Sequence, residues 1–340
     1  MTTQKCKGAV CYIDLLGFSY LTNLLDRNDV FIGNKEKKSF GEKKVRDLTL
    51  KDIGGLEQYI CERDTENKIS VADRAYKIVD ENLKKFHQII EKQCVLFPNS
   101  EYSVISDSLF IIAESSDDIL FLLANIFRDC IKSGILLRAG LAYGPYYYVK
   151  THVSGFNVYG STVTKAVNYE RKGKGCRIFT DLNFPNSCKS FSEINSQIFY
   201  PYKNYYDYSV LDCFEWLMLK DKYVLNPSDI LNLKSFRNLD NVKEAIDLLY
   251  DNIEVYCNLC FSPKYEWNTE NDEGLVQLGA SIEYLSSLMD RIYGVQCEEI
   301  ENGIRYGKDN ERSEQSVKDI VQLKKEDLKE IFKLKDKEDN

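Results

Sequence analysis

The stretch that decides the fold of this chain is Gly8-Ala-Val-Cys-Tyr-Ile-Asp14-Leu-Leu-Gly17-Phe-Ser19. It is an apolar, β-prone run that a single carboxylate interrupts. A second run, residues 102–111, repeats this pattern around Asp107. Because an unpaired carboxylate is costly to bury, the two runs predict neighbouring strands that bring Asp14 and Asp107 together. Two adjacent carboxylates, with no His close by in sequence, predict a site for a hard divalent cation.

The turn directly after Asp14 predicts a contact with phosphate. The first strand passes through this Gly turn into a predicted helix at 18–27, and such a turn offers free backbone N–H groups. We therefore expect Gly17, Phe18 and Ser19 to contact a phosphorylated substrate. The alternative is structural, with Asp14 ending the strand and capping the Gly17 turn.

Composition narrows the classes of function. The formal net charge of −8 argues against general nucleic-acid binding, which needs a basic surface, but it allows a nucleotide in a local basic pocket. No run of roughly 18 apolar residues is present, so no membrane span is expected, and residues 1–10 lack the core of a signal peptide. The 11 Cys are scattered as in proteins with reduced thiols, so we expect a cytoplasmic location. The sequence contains only two His, at positions 87 and 152. This small number argues against mechanisms that need a His base or a His-rich zinc site.

The order of predicted elements indicates an α+β fold. The spacing of apolar residues along the first half of the chain yields the order β-α-α-β-β-α-β-α-β. This order predicts a ferredoxin-like βαββαβ core with helices on one face of a mainly antiparallel sheet. The elements expected after the helix at 18–27 are a helix at 72–93, a hairpin at 94–114 that turns at 98–100, a helix at 117–133 capped by Ser115 or Ser116, a strand at 135–143, a helix at 162–171 and a strand at 176–180.

Two regions are expected along the chain. Residues 1–182 form the predicted core, with a polar, Gly-punctuated loop insertion at about 28–70. We interpret the insertion as a solvated loop; in the alternative, some of its lysines approach a phosphate tail. The lone pair Cys257 and Cys260 has no second pair at metal-site spacing and predicts buried thiols rather than zinc ligands. Residues 183–340 are a predicted mixed, mostly helical extension, in which 196–224 could add strands and helices are expected at 241–256, 274–293 and 313–335.

Four segments, in order, resemble the catalytic domain of class III nucleotidyl cyclases over roughly residues 8–182. The segments are Asp14-Leu-Leu-Gly17-Phe18-Ser19, the run around Asp107, Arg138-Ala-Gly140-Leu-Ala-Tyr-Gly144 and Tyr159-Gly160-Ser-Thr-Val163-Thr164-Lys-Ala166-Val-Asn168. The resemblance implies two Mn²⁺ or Mg²⁺ ions held by Asp14, Asp107 and the backbone carbonyl of Leu15. It also implies a homodimer with composite sites, in which one partner supplies the metal ligands and the other supplies the base and ribose contacts.

Several family positions hold unusual residues in this chain. The positions that read a purine base hold Ser103 and Asn157, and those that support the ribose and the transition state hold Thr164 and Asn168. Short amide and hydroxyl groups suit the edge of a smaller base. A cyclase core with such a rewritten pocket resembles the Pycsar antiphage pyrimidine cyclases. This resemblance implies a phosphorus–oxygen lyase that converts UTP or CTP, with a slight preference for UTP, to cyclic UMP or cyclic CMP and diphosphate as an alarm in antiphage defence.

Several assignments stay open at this level. Arg171 follows Thr164 by seven positions on the predicted helix and is the candidate for the missing transition-state cation; alternatively it is a solvated Arg at a helix end. Asn157 either reads the base or turns a loop, and Arg138 is expected to pair with a helix carboxylate. The whole chain could also be an orthodox purine cyclase, or a catalytically inactive cyclase-like module for dimerisation or nucleotide sensing.

Overall fold

The computed structural model describes residues 3–25, 31–33, 68–150, 156–189, 198–203, 210–225 and 242–293, together with 318–319, 321–323 and 325–326. Its strands are β1 (Gln4–Leu15), β2 (Phe31–Gly33), β3 (Lys68–Ser70), β4 (Ser100–Ile105), β5 (Ser108–Ala113), β6 (Leu137–Lys150), β7 (Phe156–Tyr159), β8 (Ile178–Thr180), β9 (Phe199–Lys203), β10 (Val210–Phe214), β11 (Leu219–Lys220) and β12 (Tyr223–Val224). Its helices are α1 (Phe18–Leu24), α2 (Val71–Val95), α3 (Ser116–Lys132), α4 (Ser161–Glu170), α5 (Val242–Phe261) and α6 (Asp272–Tyr293), and a 3₁₀ segment, Pro263–Glu270, joins α5 to α6. Most of the insertion at 28–70 and of the helix predicted at 313–335 lies outside the described residues.

One large sheet carries the fold. Its strands are ordered β4-β5-β1-β6-β8-β10-β9, with β7 paired to β6. Every pair is antiparallel except β6 with β8. The first four strands follow the ferredoxin-like order, in which β1 fits between β5 and β6. The predicted α+β fold with a mainly antiparallel sheet is therefore confirmed.

The two faces of β1 pack into different clusters. Alternate residues from Ala9 to Ile13 pack in the main core with side chains of α2 and α3. Val10 packs on the opposite face with Ala166 of α4. Because side chains alternate across a strand, Asp14 lies on the α4 face. The larger helices thus cover one face of the sheet, and the short helix α4 lies on the face that carries Asp14.

Helices α2 and α3 begin and end close to where local signals predict, whereas α5 continues to Phe261, past its predicted end at 256. The side chain of Ser115 caps α3 and accepts a hydrogen bond from the Asp118 backbone N–H at 3.2 Å. Helix α2 is amphipathic and buries Ala75, Phe86 and Ile90 along one side. The bounds of both helices lie within two residues of the predicted ones.

Two predicted features of the strands are wrong. The β4–β5 hairpin turns at Ser106 and Asp107 rather than at 98–100, so Asp107 lies in the turn and not inside a strand. Ser106 has a φ of 58°, the left-handed conformation that two-residue hairpin turns require. The turn was missed because it lacks the usual Asn-Gly or Asp-Gly signal. Strand β6 also continues to Lys150, past the predicted end at 143, because its far half pairs with both β1 and β7.

The sheet and its core continue beyond residue 182. Strands β9 and β10 extend the sheet from β8, and buried side chains of α5 and α6 belong to the same cluster as those of α2 and α3. Buried Arg128 of α3 also pairs with Asp251 of α5, with 2.7 Å between Nε and Oδ2. The division into 1–182 and 183–340 stays a prediction, and these contacts join the two regions in one core.

The described part of the chain contains no helix with the length and apolarity needed to cross a membrane.

Nine Cys in the described part of the chain are free thiols, and eight of these are buried. Cys257 and Cys260 lie buried on α5, as predicted for thiols that pack in the core.

Candidate active site

Asp14 and Asp107 come together because β1 ends beside the β4–β5 turn. Asp14 is the second-last residue of β1 and stands opposite Ser108, the first residue of β5. The backbone N–H of Leu15 donates to the backbone carbonyl of Asp107 at 3.2 Å. The tight turn thus holds Asp107 against the end of β1, and the two carboxylates interact electrostatically. The sequence prediction that these two residues are neighbours is confirmed; their role as metal ligands stays a prediction.

The surroundings of Asp14 are strongly acidic. Burial, then the charge of Glu170 and then that of Asp107 raise the pKa of Asp14 from its ordinary value of 3.8 to about 6. The charge of Arg138 and a hydrogen bond from Ser108 Oγ to Asp14 Oδ1, at 3.3 Å, oppose this rise. The charge of Arg138 therefore offsets only part of the negative charge of Glu170 and Asp107 around Asp14, and the excess favours a bound cation.

The donor atoms at this point fit a hard divalent ion. Asp14 and Asp107 supply carboxylate oxygens, which Mg²⁺ and Mn²⁺ prefer. Among the described residues, no three His, Cys, Asp or Glu side chains converge on a single ion position. Such an ion would take its remaining ligands from water, substrate phosphate and a backbone carbonyl, for which Leu15 is the predicted donor. That ligand set is typical of Mg²⁺ sites that handle phosphorylated substrates.

Arg138 is held by the last turn of α4. Its Nε donates to Glu170 Oε1 at 2.6 Å, and Nη1 donates to the backbone carbonyl of Gly173 at 3.0 Å. Only 3% of Glu170 is exposed, so this ion pair is buried against the sheet. The prediction that Arg138 pairs with a helix carboxylate is confirmed. Glu170 was not among the predicted site residues, although a carboxylate one turn beyond Ala166 on the buried side of the helix was its signal.

Gly140 lets α4 lie directly on the sheet. A Cβ at this position would lie 1.9 Å from the backbone carbonyl oxygen of Ala166 and 2.5 Å from the backbone nitrogen of Glu170. Since real Cβ atoms do not approach so closely, only Gly allows this contact. The close approach brings Glu170 to Arg138, which stands opposite Asp14 in the β1–β6 pairing.

The turn after Asp14 adopts the conformation that its Gly predicts. Gly17 has a φ of 82° and precedes the first residue of α1. The Ser19 side chain is exposed, but the Phe18 side chain is buried in the core. Of Phe18, therefore, only the backbone is available for the predicted substrate contact.

The residues predicted to contact the base and the ribose lie outside the carboxylate cluster. Ser103 is buried on the same face as Asp14, in the next row of side chains across β4, β5 and β1. Thr164 and Asn168 are exposed on α4, Arg171 is exposed directly after it, and Asn157 is exposed on β7. The expectation that Thr164, Asn168 and Arg171 share one side of the helix is consistent with this exposure. Within a single chain these exposed residues lie on the solvent-facing sides of α4 and β7. Glu170 lies on the opposite side of α4, which faces the sheet, and reaches the carboxylate cluster.

No protein-family model and no curated protein matches the chain. Solved structures that align with it include the catalytic core of a rhodopsin-guanylyl cyclase with converted specificity in complex with ATPalphaS, at 13% identity over 63% of this chain and 98% of that one, with a TM-score of 0.38. The adenylyl cyclase CyaB from P. aeruginosa aligns at 10% identity over 63% and 95%, with a TM-score of 0.37. A non-canonical dimeric guanylyl cyclase domain of the RhoGC fusion protein from Blastocladiella emersonii aligns at 11% identity over 63% and 97%, also with a TM-score of 0.37.

Proposed function

We propose that the protein is a nucleotidyl cyclase that uses divalent metal ions to convert a nucleoside triphosphate to its 3′,5′-cyclic monophosphate and diphosphate. The substrate is a pyrimidine nucleotide, UTP or CTP, and the product serves as an alarm in antiphage defence. The observation that carries the proposal is the pair Asp14 and Asp107, which meet where β1 ends beside the β4–β5 turn, and the burial and neighbouring carboxylates that raise the pKa of Asp14 to about 6.

The reaction joins the 3′-oxygen to the α-phosphorus and breaks the bond from that phosphorus to the leaving diphosphate. Two bound Mn²⁺ or Mg²⁺ ions would lower the pKa of the 3′-hydroxyl and neutralise the leaving group. Asp14, Asp107 and the Leu15 carbonyl hold the ions in this proposal. In this proposal the backbone N–H groups of the Gly17 turn contact the phosphates, and the exposed hydroxyl of Ser19 provides a further contact.

The proposed base contacts favour a pyrimidine. The hydroxyl of Ser103 replaces the longer Lys or Glu that reads purines in the resembled family, and the amide of Asn157 replaces an Asp, Cys or similar residue. An Asn amide carries both a donor and an acceptor, so it suits either UTP or CTP. Arg171 carries the positive charge that we assign to the transition state.

Exposure of the second set of residues supports a homodimer. Asn157, Thr164, Asn168 and Arg171 lie on outward surfaces of β7 and α4. In the proposed dimer they complete the site of the partner chain, so two composite sites form across one two-fold axis.

One observation favours a second candidate, an inactive cyclase-like module that senses nucleotides or dimerises. Asn168 and Thr164 lack the charge and reach of the family's residues at their positions, and both are exposed. The acidic cluster opposes this candidate, because an inactive module has no use for carboxylates that destabilise one another. A purine cyclase with unusual base contacts is the remaining alternative.

The test is turnover of each nucleoside triphosphate with Mn²⁺, with products resolved by chromatography. We expect cyclic UMP or cyclic CMP from the wild type and none from Asp14→Asn or Asp107→Asn. The matched control is Asp80→Asn, which changes an exposed carboxylate of α2 that pairs with Lys84. Cyclic AMP or cyclic GMP as the main product would identify a purine cyclase. No product from any of the four nucleotides would favour the inactive module.

A further inference from the structure

The segment that follows α5 touches both backbone stretches that flank the carboxylate cluster. One stretch is the Gly17 turn, three residues after Asp14, and the other is the loop 171–177 that follows Glu170. We infer that Trp267, Gln277 and Ser281 are positioning residues of the candidate site, an inference that rests on the proposed function. All three belong to the C-terminal extension predicted from residue 183 onward.

The first contact is between Trp267 and the Gly17 turn. Atoms Cζ3 and Cη2 of the buried Trp267 ring lie 2.7 and 3.0 Å from the point where a Cβ of Gly17 would be. The neighbouring Asn268 is fully buried, and its Nδ2 lies 3.4 Å from the same point. Among the described residues neither amide atom of Asn268 has a hydrogen-bond partner, so donor and acceptor capacity remains beside the turn. The turn is thus backed by a rigid ring on the side away from solvent.

The second contact fixes the loop 171–177 by two hydrogen bonds. The backbone N–H of Gly175 donates to Gln277 Oε1 at 2.8 Å, and that of Cys176 donates to Ser281 Oγ at 2.7 Å. Both acceptor side chains, on α6, are almost completely buried. Because the N–H groups are shielded from water, loss of either acceptor leaves a donor unpaired at considerable cost.

A third interaction holds the end of the same loop. The Arg177 guanidinium carbon lies 4.8 Å from the ring centroid of Tyr202 and 4.8 Å from that of Tyr284, so it stands between a strand of the sheet and α6. Cation–π contacts of this kind stabilise the position of the backbone that carries the Arg.

The loop is connected to the carboxylate cluster through Arg138. The carbonyl of Gly173 accepts from Arg138 Nη1 at 3.0 Å, and Arg138 pairs with Glu170 and stands opposite Asp14. A displaced loop would therefore displace the one guanidinium among the described residues that is known to oppose the charge of Asp14. The positions of Gln277 and Ser281 thus determine the geometry of the cluster, although neither residue touches it.

The 3₁₀ segment that carries Trp267 is itself bonded to another part of the core. The hydroxyl of Tyr265 donates to the backbone carbonyl of Ile131 at 2.6 Å, and Lys264 Nζ donates to that of Lys132 at 3.2 Å. These bonds tie the 3₁₀ segment to the end of α3, within the main core. The segment that carries Trp267 and leads into α6 is therefore fixed to the end of α3 by hydrogen bonds as well as by packing.

The test compares Ser281→Ala with Ser286→Ala in the full-length protein. Ser286 lies on the same helix, is also buried, and its replacement removes a hydroxyl of the same size. Ser281→Thr restores the acceptor, and Gln277→Met removes the other acceptor without a change in side-chain volume. We measure hydrogen exchange of the peptide 171–177, Mn²⁺ affinity by electron paramagnetic resonance, and kcat and KM for the nucleotide that the wild type turns over.

We expect Ser281→Ala and Gln277→Met to speed exchange in 171–177 about tenfold and to lower kcat about tenfold, with KM within about twofold. Ser286→Ala should match the wild type, and Ser281→Thr should recover most of kcat. If Ser281→Ala and Ser286→Ala lose activity equally, or if Ser281→Thr does not recover it, the positioning role is refuted. If the wild type neither binds Mn²⁺ nor forms a cyclic product, the proposed function fails instead, and the inference falls with it.

Discussion

Replacement of Asp14 by Asn is expected to stabilise the metal-free protein while it abolishes Mn²⁺ binding and turnover. Burial and two neighbouring carboxylates raise the pKa of Asp14 from 3.8 to about 6 in the folded state. The folded protein therefore binds a proton here more tightly than the unfolded chain does. Ionisation of Asp14 above pH 6 consequently lowers the free energy of unfolding, and Asn removes this cost.

The magnitude follows from the size of the pKa shift. One pKa unit corresponds to about 1.4 kcal/mol, so a rise from 3.8 to about 6 corresponds to about 3 kcal/mol. Asp14 is partly exposed, and solvent screening reduces this figure to about 2 kcal/mol. The destabilisation is fully present above about pH 6, shrinks as the pH falls from 6 towards 4, and disappears below the unfolded pKa.

The assay is urea unfolding of the wild type and Asp14→Asn at several pH values between 4 and 8, in the presence of a chelator. We expect Asp14→Asn to be about 2 kcal/mol more stable at pH 8 and similar to the wild type at pH 4. Asp80→Asn, at an exposed position, should change stability by less than about 0.5 kcal/mol at every pH. Added Mn²⁺ should stabilise the wild type and leave Asp14→Asn unchanged. An Asp14→Asn protein that is less stable than the wild type at pH 8, or a difference that does not depend on pH, would refute the electrostatic account of the site.

Three further predictions concern α4 and the residues beside it. Gly140→Ala should prevent α4 from packing on β6 and lower the free energy of unfolding in urea by more than about 3 kcal/mol. The control is Gly279→Ala on α6, where the surrounding space is open, and it should raise that free energy by up to about 1 kcal/mol. Equal effects of the two substitutions would contradict the close packing at Gly140. Arg138→Met should lower the free energy of unfolding by about 3–5 kcal/mol, because it leaves Glu170 buried without its partner. In the double variant, Glu170→Gln should recover part of this loss. Strictly additive effects of the two substitutions would argue against the ion pair. Arg171→Ala should lower kcat by at least about 100-fold with unchanged stability, and normal turnover would remove Arg171 from the mechanism.

The pairing of Asp14 with Asp107 was predictable from sequence because it depends on local patterns. An apolar run that one Asp interrupts has few stable solutions, and two such runs in a βαββαβ order become neighbours by topology. The cap at Ser115 and the left-handed turn at Gly17 also follow from short-range backbone chemistry. For the same reason the prediction that Arg138 needs a helix carboxylate was correct.

Other features depended on tertiary contacts that no local pattern encodes. The place of Asp107 in a turn follows from the pairing register of β4 and β5, which a two-residue turn without a Gly signal did not reveal. The identity of Glu170 as the partner of Arg138 follows from the depth at which α4 seats on Gly140. Trp267, Gln277 and Ser281 contact the Gly17 turn and the loop 171–177 across about 100 or more positions in sequence. In the sequence alone these side chains look like ordinary helix residues.

The sequence by itself therefore determined the fold class and the carboxylate pair around which it is organised, since strand periodicity and the cost of buried charge act over short distances. Only the tertiary structure decided how far the pKa of Asp14 is raised and what holds the pair in place. Both properties depend on burial and on the positions of distant side chains, which arise when the sheet, α4 and the C-terminal helices pack together.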